Sequence, residues 1–177
     1  ILENSIGKSD LILQITQNLI NSGGKRIRPL LLIISANLCG SKDPNSYLNL
    51  ASAVEMIHTA TLLHDDVVDM SEIRRGKKTA NAIWDNKSAI LVGDYLFSLS
   101  FQLMVRSQNL AVLDLLAKTS SIIADGEVLQ LQNSHNLNIS IDKYFEIIFG
   151  KTAVLFSAST EVGAIINNLD KAKILAM

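Results

Sequence analysis

The chain has 177 residues, a length typical of one domain, and 48% of them are apolar, which is enough to build a substantial core. The formal net charge of −1 gives no support for a nucleic-acid or membrane-surface partner. Cys39 is the only cysteine, which excludes a disulfide within the chain and fits a reducing, cytoplasmic location. No apolar run reaches the roughly 18 residues of a membrane span, and the best candidate, 29–39, is short.

Helical periodicity dominates the N-terminal third of the chain. A first amphipathic helix is predicted from one stripe of apolar residues: Leu11, Ile12, Ile15, Leu19 and Ile20. Gly23 and Gly24 then form a C-terminal cap. A second helix is predicted over 28–38, and Asp43-Pro44 is typical of the start of a long third helix, which reaches Asp69.

The remainder of the chain is also predicted to be helical. Residues 71–78 are polar, basic and contain Gly76, so we expect a loop or helix break there. Long, largely apolar helices are predicted over 86–104, 110–131 and 141–166, with Ser140 as the cap of the last. Because alternating strand patterns are scarce, the sequence predicts a single all-α bundle over 1–177.

The strongest chemical signal is an acidic cluster at the end of the third predicted helix. Asp65 and Asp69 are four residues apart, so they lie on one helix face about 6 Å apart along the axis. Their repulsion, increased by Asp66, favours a bound cation. Mg²⁺ suits such a site because it takes one or two carboxylates and completes its coordination with water and substrate phosphate. His58 lies two turns earlier on nearly the same face. The alternative is a solvated acidic helix end, although the helix dipole disfavours anions there.

Two basic segments accompany the acidic cluster. Four cations occur within five residues: Arg74, Arg75, Lys77 and Lys78. Three more follow Gly23-Gly24 at a helix start: Lys25, Arg26 and Arg28. Each segment alone is also compatible with a solvated surface. An acidic metal site beside a basic loop suits a diphosphate, because metal ions bridge some of its oxygens and guanidinium groups bind others. The spacing of a nucleotide-hydrolase phosphate loop is absent from the sequence.

In their amino-acid sequence and their order along the chain, these segments resemble the trans-type polyprenyl diphosphate synthase family. The main matches are the segments 24–29, 58–69 and 74–77, with support from 79–81, 92–94, 126–127 and 150–153. The residues around the Asp65-Asp66-x-x-Asp69 motif are most similar to long-chain members such as octaprenyl diphosphate synthases. The resemblance implies an all-α bundle of the isoprenoid synthase type. It also implies Mg²⁺-dependent condensation of isopentenyl diphosphate with an allylic diphosphate such as farnesyl diphosphate. The product would have octaprenyl length and become a quinone side chain, and the enzyme would be a homodimer.

The resemblance also implies site residues, position by position. The diphosphate of isopentenyl diphosphate would be held by Lys25, Arg28, His58 and Arg75. Mg²⁺ would bind Asp65 and Asp69, with Asp66 in a supporting role. The allylic diphosphate would contact Arg74, Lys151 and Thr152, with Gln130 lining the same cavity. The residues implied in catalysis are Asp65, Asp66, Asp69, Arg74 and Lys151.

Product length is implied by residues before the first aspartate. Ala60 and Thr61 are small, and Ile57 lies one turn earlier, so the growing lipid tail could run down this helix. Phe97, Phe101 or Met104 would form a floor, unless they are ordinary core residues.

The sequence departs from the family in lacking a second aspartate-rich motif. We therefore expect an N-terminal portion that supplies half of a metal site and has no turnover alone, or else a natural short subunit. A non-catalytic subunit of a heteromeric synthase is the main alternative, and a class I terpene cyclase is disfavoured by the intact isopentenyl diphosphate set. A di-metal carboxylate bundle would need a second pair like Glu55-x-x-His58.

Asp94 interrupts an apolar helix and is expected to pair with a base such as Arg74 or Lys25, or with a backbone group. His64 is expected to have a packing or capping role.

Overall fold

The computed structural model describes residues 9–177, so the first eight residues of the predicted domain lie outside it. The helices are α1 (Asp10–Asn21), α2 (Ile27–Leu38), α3 (Asn45–Val68), α4 (Ala80–Ile83), α5 (Asn86–Arg106), α6 (Leu110–Asn133), α7 (Ile141–Ile148), α8 (Val154–Ile166) and α9 (Lys171–Leu175). A π-helical turn, Phe149–Ala153, joins α7 to α8. Within residues 9–177 the strands are β1 (Ile73–Arg74) and β2 (Lys77–Lys78). The predicted all-α class is confirmed.

The chain forms two compact units. The described residues of unit 1 are 9–26 and 55–103, and unit 2 comprises residues 27–54 and 104–177. Helices α3 and α5 each contribute residues to both units. That all 177 residues form one domain stays a prediction.

The core of unit 1 collects apolar side chains from four helices. Its buried members are Ile15, Ala60, Leu63, Ala80, Ala89, Val92 and Leu96. Each large aliphatic side chain among them contributes about 1.5–3 kcal/mol through burial. Gly23, with φ +82°, ends α1 in the left-handed conformation that glycine adopts most easily, so the predicted cap is confirmed.

Unit 2 depends on two close helix contacts. Helix α2 packs on α8 at Gly163, where a Cβ atom would lie 2.7 Å from the Ser35 carbonyl carbon. The Ser35 hydroxyl donates to the Thr160 carbonyl at 2.5 Å beside this contact. Helix α6 meets the π-helical turn where Gly126 faces Gly150, again backbone against backbone. Small residues at both contacts allow the helix axes to approach closely.

The structure refines several predicted boundaries. Helix α3 begins at Asn45, after the Asp43 carboxylate accepts the Asn45 amide at 2.9 Å. Ser140 caps α7 by accepting the Lys143 amide at 3.2 Å, as predicted. The helix predicted over 141–166 is interrupted by the π-helical turn, which adds a residue to the helical register.

The predicted loop over 71–78 is a β-hairpin. Strands β1 and β2 pair antiparallel, with Arg74 opposite Lys77. The two turn residues, Arg75 and Gly76, have φ values of +53° and +76°. Positive φ at both central positions is the signature of a type I′ turn, whose twist matches that of paired strands.

Among the described residues, one helix, α5, is long and apolar enough to cross a membrane, with a mean hydropathy of 1.5 in its best window. From the sequence, the segment 29–39 is the best candidate for a span. That prediction is wrong, because most of the segment lies in the shorter helix α2. A single such helix is weak support for a span, because core helices of soluble proteins pass the same test of length and composition.

Candidate active site

The three aspartates at the end of α3 differ in burial. Asp66 is inside the protein with 2% of its side chain exposed, whereas Asp65 is half-buried and Asp69 is exposed. The Asp69 amide donates to the Asp65 carbonyl at 2.8 Å, so the helical register continues between these two residues. No group of three or more His, Cys, Asp or Glu side chains converges within residues 9–177. Asp65 and Asp69 are two hard carboxylate donors, a number that suits Mg²⁺ because this ion commonly uses one or two protein carboxylates.

Asp66 is bound to Arg74 in the hairpin. The Nε and Nη2 atoms of Arg74 each lie 2.8 Å from Asp66 Oδ1. Because Asp66 is buried, its charge needs a partner, and the guanidinium provides both charge and directed hydrogen bonds. Asp66 therefore holds Arg74, a residue implied to bind diphosphate, at the end of α3.

Backbone carbonyls hold the start of the hairpin against α3. The Asn81 side chain donates to the Ser71 carbonyl at 3.0 Å, and the Thr79 hydroxyl donates to the same carbonyl at 2.7 Å. The Ser71 amide in turn donates to the Asp66 carbonyl at 2.9 Å. Thr79 and Asn81 entered the sequence analysis only as part of the family resemblance, because no periodicity or charge pattern marks such side-chain-to-backbone bonds.

The basic residues of the hairpin also reach the C-terminal end of α1. Arg75 donates to the Gly23 carbonyl, and Lys77 Nζ donates to the Asn21 carbonyl at 2.7 Å. A Cβ atom on Gly24 would lie 2.7 Å from Arg75 Nη1, so this glycine makes room for the guanidinium. Cations are favourable here because the last carbonyls of a helix carry partial negative charge.

Arg26 and Glu55 form an ion pair that the sequence analysis missed. Arg26 Nη1 binds the Glu55 carboxylate, and Arg26 Nη2 donates to the Ile20 carbonyl at 3.3 Å. From the sequence, Glu55 is notable only for its spacing from His58, which is that of a metal-binding pair. The pairing explains how the loop after Gly24 is held, and it leaves exposed Lys25 as the neighbouring cation.

A small pocket lies in unit 1 beside these groups. Its volume is about 30 Å³, and its lining includes Arg26, Thr59, Asp66, Arg74 and Arg75. This volume is enough for a water molecule, and the polar side chains in the lining can form hydrogen bonds with it. The structure thus brings together five unit 1 residues that carry charge in the two basic segments and the acidic motif: Arg26, Asp66, Arg74, Arg75 and Lys78.

The unit 2 residues form a second group. Gln130, Lys151 and Thr152, all implied to lie near the allylic diphosphate, line one pocket of about 290 Å³. Lys151 Nζ lies 2.9 Å from both carboxylate oxygens of Glu127. Arg28 stacks on the Phe156 ring, with its Cζ atom 4.3 Å from the ring centroid. The face of the aromatic ring attracts the guanidinium cation electrostatically.

Asp94 has a partner other than those expected. Its Oδ1 atom lies 3.3 Å from His64 Nε2, so neither Arg74 nor Lys25 is the contact seen. His64 Nε2 also lies 3.2 Å from the Ile90 carbonyl and rests on Gly93, whose missing side chain makes room for the ring. The expectation that His64 serves packing agrees with this contact. Helical spacing explains it, because Ile90 and Asp94 are one turn apart on α5.

The residues implied in product length are mostly inside the core. Ile57 and Ala60 are fully buried, whereas Thr61 is half-buried and its hydroxyl donates to the His58 carbonyl at 2.8 Å. Phe97 and Phe101 make an edge-to-face contact at 5.2 Å. Their role in product length stays a prediction.

Comparisons with known proteins agree with this geometry. The sequence model of a protein family described as Polyprenyl synthetase matches residues 9–177. The octaprenyl diphosphate synthase of Escherichia coli K12 is 42% identical over 166 residues, covering 94% of this chain and 51% of that protein. The crystal structure of a decaprenyl diphosphate synthase from Rhodobacter capsulatus superimposes with a TM-score of 0.95 at 51% identity, over 98% of this chain and 54% of that one.

A second solved structure is similar over the same extent. It is a polyprenyl synthase from Caulobacter crescentus CB15 complexed with calcium and isoprenyl diphosphate. The TM-score is 0.94 at 48% identity, over 98% of this chain and 53% of that one. The chain spans about half the length of the curated relatives it matches.

Proposed function

The chain belongs to the polyprenyl synthetase family, and from that premise we propose that it is part of a trans-prenyltransferase. The reaction condenses isopentenyl diphosphate with an allylic diphosphate to give a long-chain polyprenyl diphosphate. The observation that carries the proposal is the end of α3, where the buried Asp66 holds Arg74 and where Asp65 and Asp69, four residues apart, supply two carboxylates. Because the chain spans about half of its relatives, the whole protein's activity and substrates are part of the proposal.

Asp65 and Asp69 are the residues that would hold Mg²⁺, which when bound supplies positive charge to the allylic diphosphate. The Caulobacter relative, complexed with calcium and isoprenyl diphosphate, supports a divalent cation and a prenyl diphosphate as ligands. Asp66 acts through Arg74, whose guanidinium it holds.

The basic residues would bind the two diphosphates. Isopentenyl diphosphate is assigned to Lys25, Arg28, His58 and Arg75, and the allylic diphosphate to Arg74, Lys151, Thr152 and Gln130. Their cations stabilise charge on the leaving group as the allylic C–O bond breaks and its electron pair moves to the diphosphate. The double bond of isopentenyl diphosphate then forms the new C–C bond, and the released diphosphate takes the proton that is lost. No protein nucleophile is required.

A long product is supported by the relatives, which are octaprenyl and decaprenyl diphosphate synthases. In this chain Ala60 and Thr61 would leave room for the lipid tail and Ile57 would border it, with Phe97 and Phe101 further along α5. Such a product would serve as a quinone side chain, as in ubiquinone.

We further propose that the protein acts in the cytoplasm as a homodimer. Apolar side chains exposed on α5 support an interface, because Leu91 and Val105 each expose more than half of their surface. We also expect the 177 residues alone to have no turnover, since their relatives are about twice as long.

The test is a product assay with the full-length gene product and the 177-residue chain side by side. Each receives Mg²⁺, labelled isopentenyl diphosphate and farnesyl diphosphate, with a chelator added to a parallel sample. We expect long polyprenyl diphosphates from the full-length protein only, and none after chelation. A full-length protein that binds isopentenyl diphosphate but makes no product would contradict the proposal and favour an accessory subunit.

A further inference from the structure

The backbone near Lys151 is fixed by a contact between two glycines. A Cβ atom on Gly126 would lie 2.8 Å from the Lys151 nitrogen, and one on Gly150 would lie 3.2 Å from Gly126 Cα. Backbone therefore meets backbone where α6 crosses the π-helical turn. The turn contains Lys151, and π-helical turns occur frequently at functional sites.

The crossing places the next residue of each segment, Glu127 and Lys151, face to face. Lys151 Nζ is 2.9 Å from Glu127 Oε1 and 2.9 Å from Oε2, so both carboxylate oxygens contact one ammonium. Only 27% of the Lys151 side chain and 26% of the Glu127 side chain are exposed. The pair is thus more enclosed than a typical surface ion pair, and screening by water weakens it less.

A lysine side chain has four rotatable bonds, and holding its ammonium in one place has an entropic cost. In this chain the glycine crossing fixes the backbone end of Lys151, and Glu127 fixes its ammonium end. The other Lys–Glu pair in the same unit, Lys143 with Glu146, differs because it lies three residues apart on α7 and its glutamate is 56% exposed.

We propose that Glu127 is a positioning residue that presents the Lys151 ammonium to the diphosphate of the allylic substrate. This inference rests on the proposed function, because Lys151 is assigned to the allylic diphosphate there. Glu127 itself need not touch the substrate. Its carboxylate orders Lys151 before binding, so less conformational freedom is lost when the diphosphate arrives.

The test uses Glu127→Gln and Glu127→Ala in the full-length protein, with Glu146→Gln as the matched control. Glutamine keeps one oxygen acceptor at the same distance, so it should rescue part of what alanine loses. We expect Glu127→Ala to raise KM for farnesyl diphosphate by about five-fold to thirty-fold, a range that allows for screening of the partly exposed ion pair by water. Glu127→Gln should raise this KM less. KM for isopentenyl diphosphate should change by less than about two-fold, and Glu146→Gln should change neither constant.

Binding of farnesyl thiolodiphosphate, measured by calorimetry, gives a readout that needs no turnover. The affinity for this analogue should fall more in Glu127→Ala than in Glu127→Gln, in the same order as KM rises. In a Lys151→Ala background, Glu127→Ala should cause no further loss, because its effect acts through Lys151. An unchanged or tighter affinity in the Glu127 variants, or losses that add in the double variant, would overturn the inference. Absence of product from the unsubstituted protein would instead contradict the proposed function, and the calorimetric comparison would still decide the role of Glu127.

Discussion

Replacing Asp66 should damage the protein differently from replacing Asp69, although both belong to the same acidic motif. Asp66→Ala removes the carboxylate to which Arg74 Nε and Nη2 are each bonded at 2.8 Å. Removing one member of a buried ion pair costs about 3–5 kcal/mol. Because 32% of the Arg74 side chain is exposed, water can solvate the freed guanidinium, and we expect a loss of about 2–3 kcal/mol.

Asp69 is exposed and lies just beyond the last residue of α3, so Asp69→Ala should change the free energy of unfolding by less than about 0.5 kcal/mol. Its effect should fall on catalysis, with a loss in kcat/KM of about a hundred-fold or more if it holds the cation. Asp66→Ala should lower both the free energy of unfolding and kcat/KM, because it destabilises the hairpin and releases Arg74.

The assay combines urea unfolding followed by circular dichroism with steady-state kinetics, on the full-length protein and both variants. Asp66→Asn provides a graded control, since its amide oxygen still accepts a hydrogen bond but carries no charge. Equal losses of stability in Asp66→Ala and Asp69→Ala would refute the assignment of different roles. Unchanged stability in Asp66→Ala would show that the buried pair contributes nothing to the hairpin.

Three further outcomes follow from local geometry. Gly126→Ala places a methyl group 2.8 Å from the Lys151 nitrogen, a backbone atom that cannot rotate away, so urea unfolding should show a loss of about 1–3 kcal/mol. Ser140→Ala removes the cap of α7 and should lower the free energy of unfolding by about 1 kcal/mol, detectable as faster amide exchange in the first turn. The hydrogen bond from the Lys173 amide lowers the pKa of Asp170, so its stabilisation of α9 is complete above the ordinary carboxyl pKa and is lost as pH falls through the lowered value. An NMR titration in which the Asp170 carboxyl shows an ordinary pKa would contradict that cap.

The acidic motif shows which features of the site the sequence predicts and which it does not. Spacing alone places Asp65 and Asp69 on one helix face, because four residues make little more than one turn. From spacing alone, Asp66 is one more acid in a crowded cluster. Its burial, and its bond to a residue eight positions later, depend on how the hairpin folds back on α3. A pattern of charges along the chain carries no such information.

The sequence determined the helical class, most helix boundaries and the two caps at Gly23 and Ser140, because each follows from periodicity or from the chemistry of a few adjacent residues. Tertiary structure alone decided which charges meet. The contact of Glu127 with Lys151 joins residues 24 positions apart, and Arg26 reaches Glu55 across 29. Long-range pairs of this kind depend on how distant segments of the chain pack together. For Glu127 and Lys151 the contact is set by backbone packing against backbone at Gly126, and no local periodicity encodes it.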